Sequence, residues 1–118
     1  MALHTSLPIY KIAYDLLGLA HDITRNFPRD FKASLGGRIR DDCVDFTILI
    51  SRANSARNKV PHLDELLERL HATEMLLRLS VDKRYISRPQ YAQAIQLTAQ
   101  VGKQANGWRK HSAASPVA

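Results

Sequence analysis

The chain has 118 residues, 45% hydrophobic, 7% aromatic and 24% charged, with one cysteine; that length suits a single domain burying about two-thirds of its unfolded surface. One cysteine excludes a disulfide scaffold and a cysteine-rich metal module, and no apolar run nears the roughly 20 residues of a membrane-spanning helix. Lys plus Arg total 17 against 11 acids, a net charge of +6, which is an argument about polyanionic partners rather than about fold.

The first predicted helix covers residues 8–27. Ser6 is placed to cap it and Pro8 sits in its first turn, where the missing N–H costs nothing. Ile9, Ile12, Leu16, Leu19, Ile23 and Phe27 recur at threes and fours, the spacing of one helical face. Asn26-Phe27-Pro28 ends it, because the residue before a proline is pushed out of the α region. Asp30 is expected to cap a longer helix reaching Arg57, with Phe31, Leu35, Ile39, Asp42 or Cys43, Phe46, Ile50 and Ala53 as its stripe. Gly36-Gly37 falls inside that pattern, weakening it by about 1 kcal/mol per glycine and inviting a kink or a close helix contact.

Residues 58–61 form the next connection. The third helix is expected from His62 to Val81 on Leu63, Leu66, Leu67, Leu70 and Leu77. After a connector at residues 82–86, Ser87-Arg88-Pro89-Gln90 fits a capping box. It opens a fourth helix striped by Tyr91, Ala94, Ile95, Thr98, Val101, Ala105 and Trp108, with Trp108 read as a core plug. No alternating strand pattern or internal repeat is present. The expected fold is all-α, an up-down-up-down antiparallel four-helix bundle. One domain spans residues 1–110, and residues 111–118 form a flexible tail. The start, Met-Ala-Leu-His-Thr-Ser, lacks the basic and apolar regions of a signal peptide, and the expected compartment is the cytoplasm.

Two helices carry more apolar side chains than a bundle core uses. Val44 and Ile48 on the second, and Met75, Leu76 and Leu79 on the third, lie off the main stripes. Exposed apolar patches mark contact surfaces, so these five residues are the candidate interface of a homo-oligomer.

Catalytic constellations are sparse. Glu68 and His71 have the Glu-x-x-His spacing of carboxylate-metal bundles, but no second copy exists, and Asp41, Asp42 and Asp45 stand close enough to Arg38 and Arg40 to be ordinary ion-pair partners. Cys43 beside the core stripe reads as a small buried hydrophobe rather than a nucleophile. The five histidines show no triad order or metal spacing, and Gly36-Gly37 is not a phosphate loop. No catalytic residue, metal or cofactor is expected. What remains is the basic surface. After Asp82 come Lys83, Arg84, Arg88, Lys103, Arg109 and Lys110 with no acid to offset them. Arg38, Arg40, Arg52, Arg57, Lys59, Lys83, Arg84 and Arg88 all fall on or near helix ends and connectors. Such cations bind backbone phosphates without sequence preference.

One ordered set of residues runs through nearly the whole chain. It comprises Leu7-Pro8-Ile9-Tyr10-Lys11 with Tyr14-Asp15-Leu16-Leu17, Leu35-Gly36 with Arg38-Ile39, and Arg52-Ala53-Asn54. Leu76-Leu77-Arg78-Leu79, Ile86-Ser87 with Tyr91, Val101-Gly102-Lys103 and Gly107-Trp108 complete it. The set resembles the Avd-like four-helix-bundle proteins, the accessory variability determinants of diversity-generating retroelements, which are related to bundle proteins of ribosomal-RNA intervening sequences. The resemblance implies a homopentameric barrel of bundles without catalytic activity of its own. Such a barrel binds RNA or a DNA–RNA hybrid and associates with a reverse transcriptase to support mutagenic cDNA synthesis and retrohoming. The glycine pair and Gly102 become close-packing positions. The candidate nucleic-acid contacts are Arg38, Arg40, Arg52, Arg57, Arg84, Lys103 and Arg109. Two other functions stay open at this point: an oligomeric scaffold for a protein partner with incidental charge, and a carboxylate-metal enzyme centred on Glu68 and His71.

Overall fold

A computed structural model describes residues 3–114, and all of its regular structure is helical. After a 3-10 turn at His4–Ser6 come α1 (Pro8–Thr24), α2 (Arg29–Lys32), α3 (Leu35–Ser55), α4 (Val60–Asp82) and α5 (Arg88–Ala114). The four long helices pack as sequential neighbours, α1 on α3, α3 on α4, α4 on α5 and α5 back on α1. The result is an antiparallel bundle 50 Å long and 20 Å across. No helix among the described residues is long and apolar enough to cross a membrane.

The core follows the periodicity of the sequence. Ile9, Leu16 and Ile23 from α1 meet Ile39, Phe46 and Ile50 from α3, Leu63, Leu66, Leu70 and Leu77 from α4, and Val101 from α5. Alanines at 13, 20, 53, 94 and 105 are equally buried, and they let the backbones approach where a larger side chain would overfill the interior. Trp108 is half-buried, packed on the core edge beside Leu7, Pro8 and Ile9.

Several helix ends differ from the expectations. The Ser6 hydroxyl donates to the Leu3 carbonyl within the 3-10 turn, so α1 begins from Leu7 without a side-chain cap. α1 stops at Thr24 rather than at Phe27. Asp30 caps nothing; it lies inside the single turn of α2, which starts from Pro28. The expected continuous helix from Asp30 is broken at Ala33–Ser34, because Arg40 from α3 reaches back to bind the end of α2. Its Nη2 donates to the Lys32 carbonyl at 3.3 Å and its Nη1 to Thr24 Oγ1 at 2.8 Å. Gly36-Gly37 therefore falls in the first turn of α3, not in a helix interior. A Cβ at Gly36 would stand 3.1 Å from Arg40 Nη1 and 3.4 Å from Thr24 Cβ, so any side chain there would crowd the brace. Gly102 is tight as well, with Leu70 Cδ2 at 3.3 Å.

At the other reversals, Lys59 Nζ donates to the carbonyls of Ala53, Asn54 and Ala56 and closes the C-terminus of α3. The capping box forms as expected, with Ser87 N–H donating to Gln90 Oε1 at 2.9 Å and Gln90 N–H to Ser87 Oγ at 3.2 Å. α5 continues to Ala114, past the expected boundary at residue 110, since no proline follows Gly107 until Pro116. The rest of the expected tail, residues 115–118, lies outside the described residues, as do residues 1 and 2.

One buried polar contact links α3 to α4. The Asp42 carboxylate, 1% exposed, accepts from Thr73 Oγ1 at 2.9 Å and from Arg38 Nε at 3.3 Å. Next to it, burial, with the Asp42 charge adding to it, pushes the Cys43 thiol up from 9.0 to about 12. A thiol whose folded value is raised adds stability that is complete below its unfolded pKa and is lost as pH climbs towards the folded one. Denaturation midpoints should therefore fall between pH 9.0 and about 12 in the native chain but less so in Cys43→Ala. A thiol reagent at about pH 8 should label Cys43 promptly in urea and scarcely at all in the folded protein.

Candidate polyanion-binding surface

The topology sorts the cations by bundle end. The α1–α3 and α4–α5 connections share one end, which holds Arg38, Arg40 and Arg84. The α3–α4 connection and the C-terminus of α5 share the other, which holds Arg52, Arg57 and Arg109. Lys103 lies near mid-height, where its neighbour Gly102 abuts Leu70. The seven residues singled out by sequence are therefore not one patch.

Their partners separate them further. Arg40 is the corner brace just described. Arg109 is paired with Asp64 across the α4–α5 seam, and that carboxylate makes the guanidinium hold its proton more firmly still. Arg38 pairs with Asp42 yet keeps its own side chain 65% exposed. Arg52, Arg57, Arg84 and Lys103 are exposed and, among the described residues, form no ion pair with an acid. Salt links at the surface hold little stability, but a cation already facing a carboxylate offers a phosphate less net charge than an unpaired one.

Arg84 stands out on backbone grounds. α4 ends in a Schellman arrangement: Tyr85 N–H donates to Ser80 O at 2.8 Å and Arg84 N–H to Val81 O at 3.0 Å. The residue at the turning position takes a left-handed backbone, normally supplied by glycine. Here it is Arg84, with φ 62°, the one non-glycine residue of positive φ among the described residues. An L side chain in that region costs roughly 1–2 kcal/mol.

Around it opens a depression of about 820 Å³, lined by Arg78, Arg84, Arg88, Asp82, Tyr85, Ser87 and Tyr91 among others. Arg78 Nε bonds both Asp82 oxygens, at 3.1 and 3.2 Å. The N-terminus of α5 also faces this region, but its donors are largely taken. The capping box occupies the Ser87 and Gln90 amides, the Tyr91 amide bonds Ser87 O, and Pro89 has none. An anion here would be held by guanidinium groups. The sequence signalled Arg84 and Arg88 through their place at a connector; Arg78 was missed because it reads as part of an ordinary helical face.

The apolar candidates divide as well. Val44 and Ile48 are 39% and 41% exposed, Met75 and Leu79 66% and 42%, whereas Leu76 is half-buried against the core. The Asp42–Thr73 and Asp45–Arg69 contacts fix the antiparallel register. By that register Val44 and Ile48 stand level with residues 67–71 of α4, and Met75 and Leu79 level with residues 36–40 of α3. The two pairs are staggered along the bundle axis, with Val44 about 6 Å from the level of Met75. Glu68 and His71 are both exposed, and Glu68 shares a shallow hollow with Glu65, Arg38 and Arg69. No three His, Cys, Asp or Glu side chains converge on a metal-sized site among the described residues.

Comparison with known families decides what this bundle is. The profile described as bAvd-like matches residues 8–112. The chain belongs to the bAvd-like family. It is thus an accessory protein of the Avd type, over a span that takes in nearly all of the ordered residue set. No curated protein and no solved structure matches it.

The left-handed position gives a substitution that removes charge without harming the bundle. Arg84→Gly should raise the urea midpoint or leave it unchanged, by up to about 1 kcal/mol in favour of the fold. Arg84→Ala, which keeps a Cβ at positive φ, should bring no such gain. Parallel denaturation curves of the two variants provide the check.

Proposed function

We propose that this bAvd-like protein is a non-enzymatic, homo-oligomeric accessory factor that binds RNA or a DNA–RNA hybrid and supports cDNA synthesis by a partner reverse transcriptase. The observation that carries the reading is Arg84, a cation at a backbone position where glycine would be the less strained choice, on the rim of an arginine-lined depression. Strain kept at an exposed site points to a role outside the fold. Arg52, Arg57 and Lys103 extend the unpaired charge over the rest of the molecule, and α5 contributes only cations to it. A bundle with charge at both ends and along one helix suits a backbone-tracking contact, in which phosphates are neutralised and counterions released.

The assembly in this reading is a homopentameric barrel held through the exposed faces of α3 and α4. Val44, Ile48, Met75 and Leu79 support it, since an outer helix face is ordinarily polar. The same exposed apolar side chains favour a second reading, an oligomeric scaffold whose partner is a protein and whose charge is incidental. The scaffold predicts no salt-dependent binding of nucleic acid.

A labelled RNA–DNA hybrid titrated across a salt series distinguishes the two. Binding should weaken steeply with salt, and Arg52→Ala, Arg57→Ala and Lys103→Ala should each flatten the slope of log K against log salt by about 0.7–0.9 for every phosphate left without its cation. Arg40→Ala should instead lower the denaturation midpoint, because it unbraces the α1–α3 corner. Absence of hybrid binding at low salt would leave the scaffold reading.

The interface has its own test. Ile48→Glu and Met75→Glu should reduce the mass seen by light scattering to that of a single chain while far-ultraviolet circular dichroism stays helical. Leu76→Glu should also lower the denaturation midpoint, since that side chain lies against the core. An unchanged mass in both Ile48→Glu and Met75→Glu would move the interface elsewhere.

A further inference from the structure

The end of the bundle that carries Arg84 also carries an aromatic cluster that runs from the core out to the surface. Phe31, on the single turn of α2, stacks on Tyr85 with ring centroids 5.4 Å apart and planes at 20°. Tyr85 in turn meets the buried Phe27 at 5.5 Å. Phe27 is 4% exposed and closes the core, but Phe31 remains 43% exposed. Tyr85 is half-buried and forms part of the wall of the arginine-lined depression. One ring therefore separates a stack with solvent-facing surface from a depression in which Asp82 faces Arg78 while Arg84 and Arg88 meet no acid among the described residues. Arg29 and Lys32, on the same helical turn as Phe31, are exposed, with Asp30 as the acid among them.

We infer that this end takes single-stranded nucleic acid, with an unpaired base extending the Phe31–Tyr85 stack while Arg84 and Arg88 hold the neighbouring phosphates. The inference rests on the nucleic-acid reading above and adds where the strand docks and which form is taken. A duplex keeps its bases stacked on one another and presents no free face to an aromatic ring. A single strand does, and ring-on-base stacking flanked by cations tolerates any sequence because every base has a π-face. The donors of the α5 N-terminus are largely occupied, so the phosphates fall to side chains, which suits a flexible backbone.

The alternative role for Phe31 is a simple apolar cover over Tyr85, and its variants separate the two. Binding of a labelled twelve-nucleotide single strand and of a blunt duplex of the same length is measured for the whole protein, with a thermal melt of each variant. Phe31→Ala and Phe31→Leu should both weaken the single strand about tenfold, Phe31→Trp should retain it, and duplex binding should change less than about twofold. Phe31→Leu keeps the apolar cover, so a loss in that variant with an unchanged melt assigns the loss to the missing ring. Full single-strand affinity in Phe31→Leu, or an equal loss on strand and duplex, would overturn the inference while leaving the nucleic-acid role intact. Failure of the unaltered protein to bind either form at low salt would overturn both, and the two failures are told apart by that control.

Discussion

Four helices of similar length must reverse direction three times within connections of a few residues, and every other feature of this molecule follows from how those reversals are held. Short connections force consecutive helices to lie side by side and antiparallel, but they also crowd helix ends whose carbonyls and amides lack intrahelical partners. This chain meets that demand with side chains at each corner. Arg40 spans the first corner from Thr24 to Lys32. Lys59 gathers three carbonyls at the second. A Schellman arrangement at Arg84 and a capping box at Ser87 share the third.

The corners explain why cations at helix ends are not a uniform class. Lys59 is consumed by three backbone carbonyls at the C-terminus of α3, and Arg40 by the Thr24 hydroxyl and the Lys32 carbonyl. Arg38 and Arg109 face carboxylates. Arg84 lies at a corner too, yet its contribution there is through the backbone alone, which leaves its guanidinium free to act on something else. The consequence is a bundle whose cations are divided between those that hold the fold and those, such as Arg84, Arg52, Arg57 and Lys103, that face no acid among the described residues.

Much of the fold was legible because apolar spacing reports directly on which face is buried. The stripes from Ile9 to Ile23, Leu63 to Leu77 and Ala94 to Ala105 needed no tertiary information, and Ser87 with Gln90 announced a helix start through chemistry local to four residues. The break at Ala33–Ser34 was not legible. It depends on a guanidinium arriving from a residue several positions downstream and on the room that Gly36 leaves for it. Phe31 followed the expected stripe by spacing, but the break removed it from α3 and left it on the surface against Tyr85. Leu76 illustrates the opposite case: it lies off the main stripe by spacing, and packing against the core half-covers it.

The sequence alone determined the number of long helices, their order, most of the core and the excess of positive charge, since each is a property of residue type and local period. It also carried the family, through residues spread along the whole chain. Only the tertiary structure decided which cations are paired, that the exposed apolar side chains of α3 and α4 are staggered along the axis, and that an arginine occupies a left-handed turn beside a partly exposed aromatic stack. Pairing, register and backbone handedness arise where distant segments meet, and no window of sequence contains both halves of such a contact.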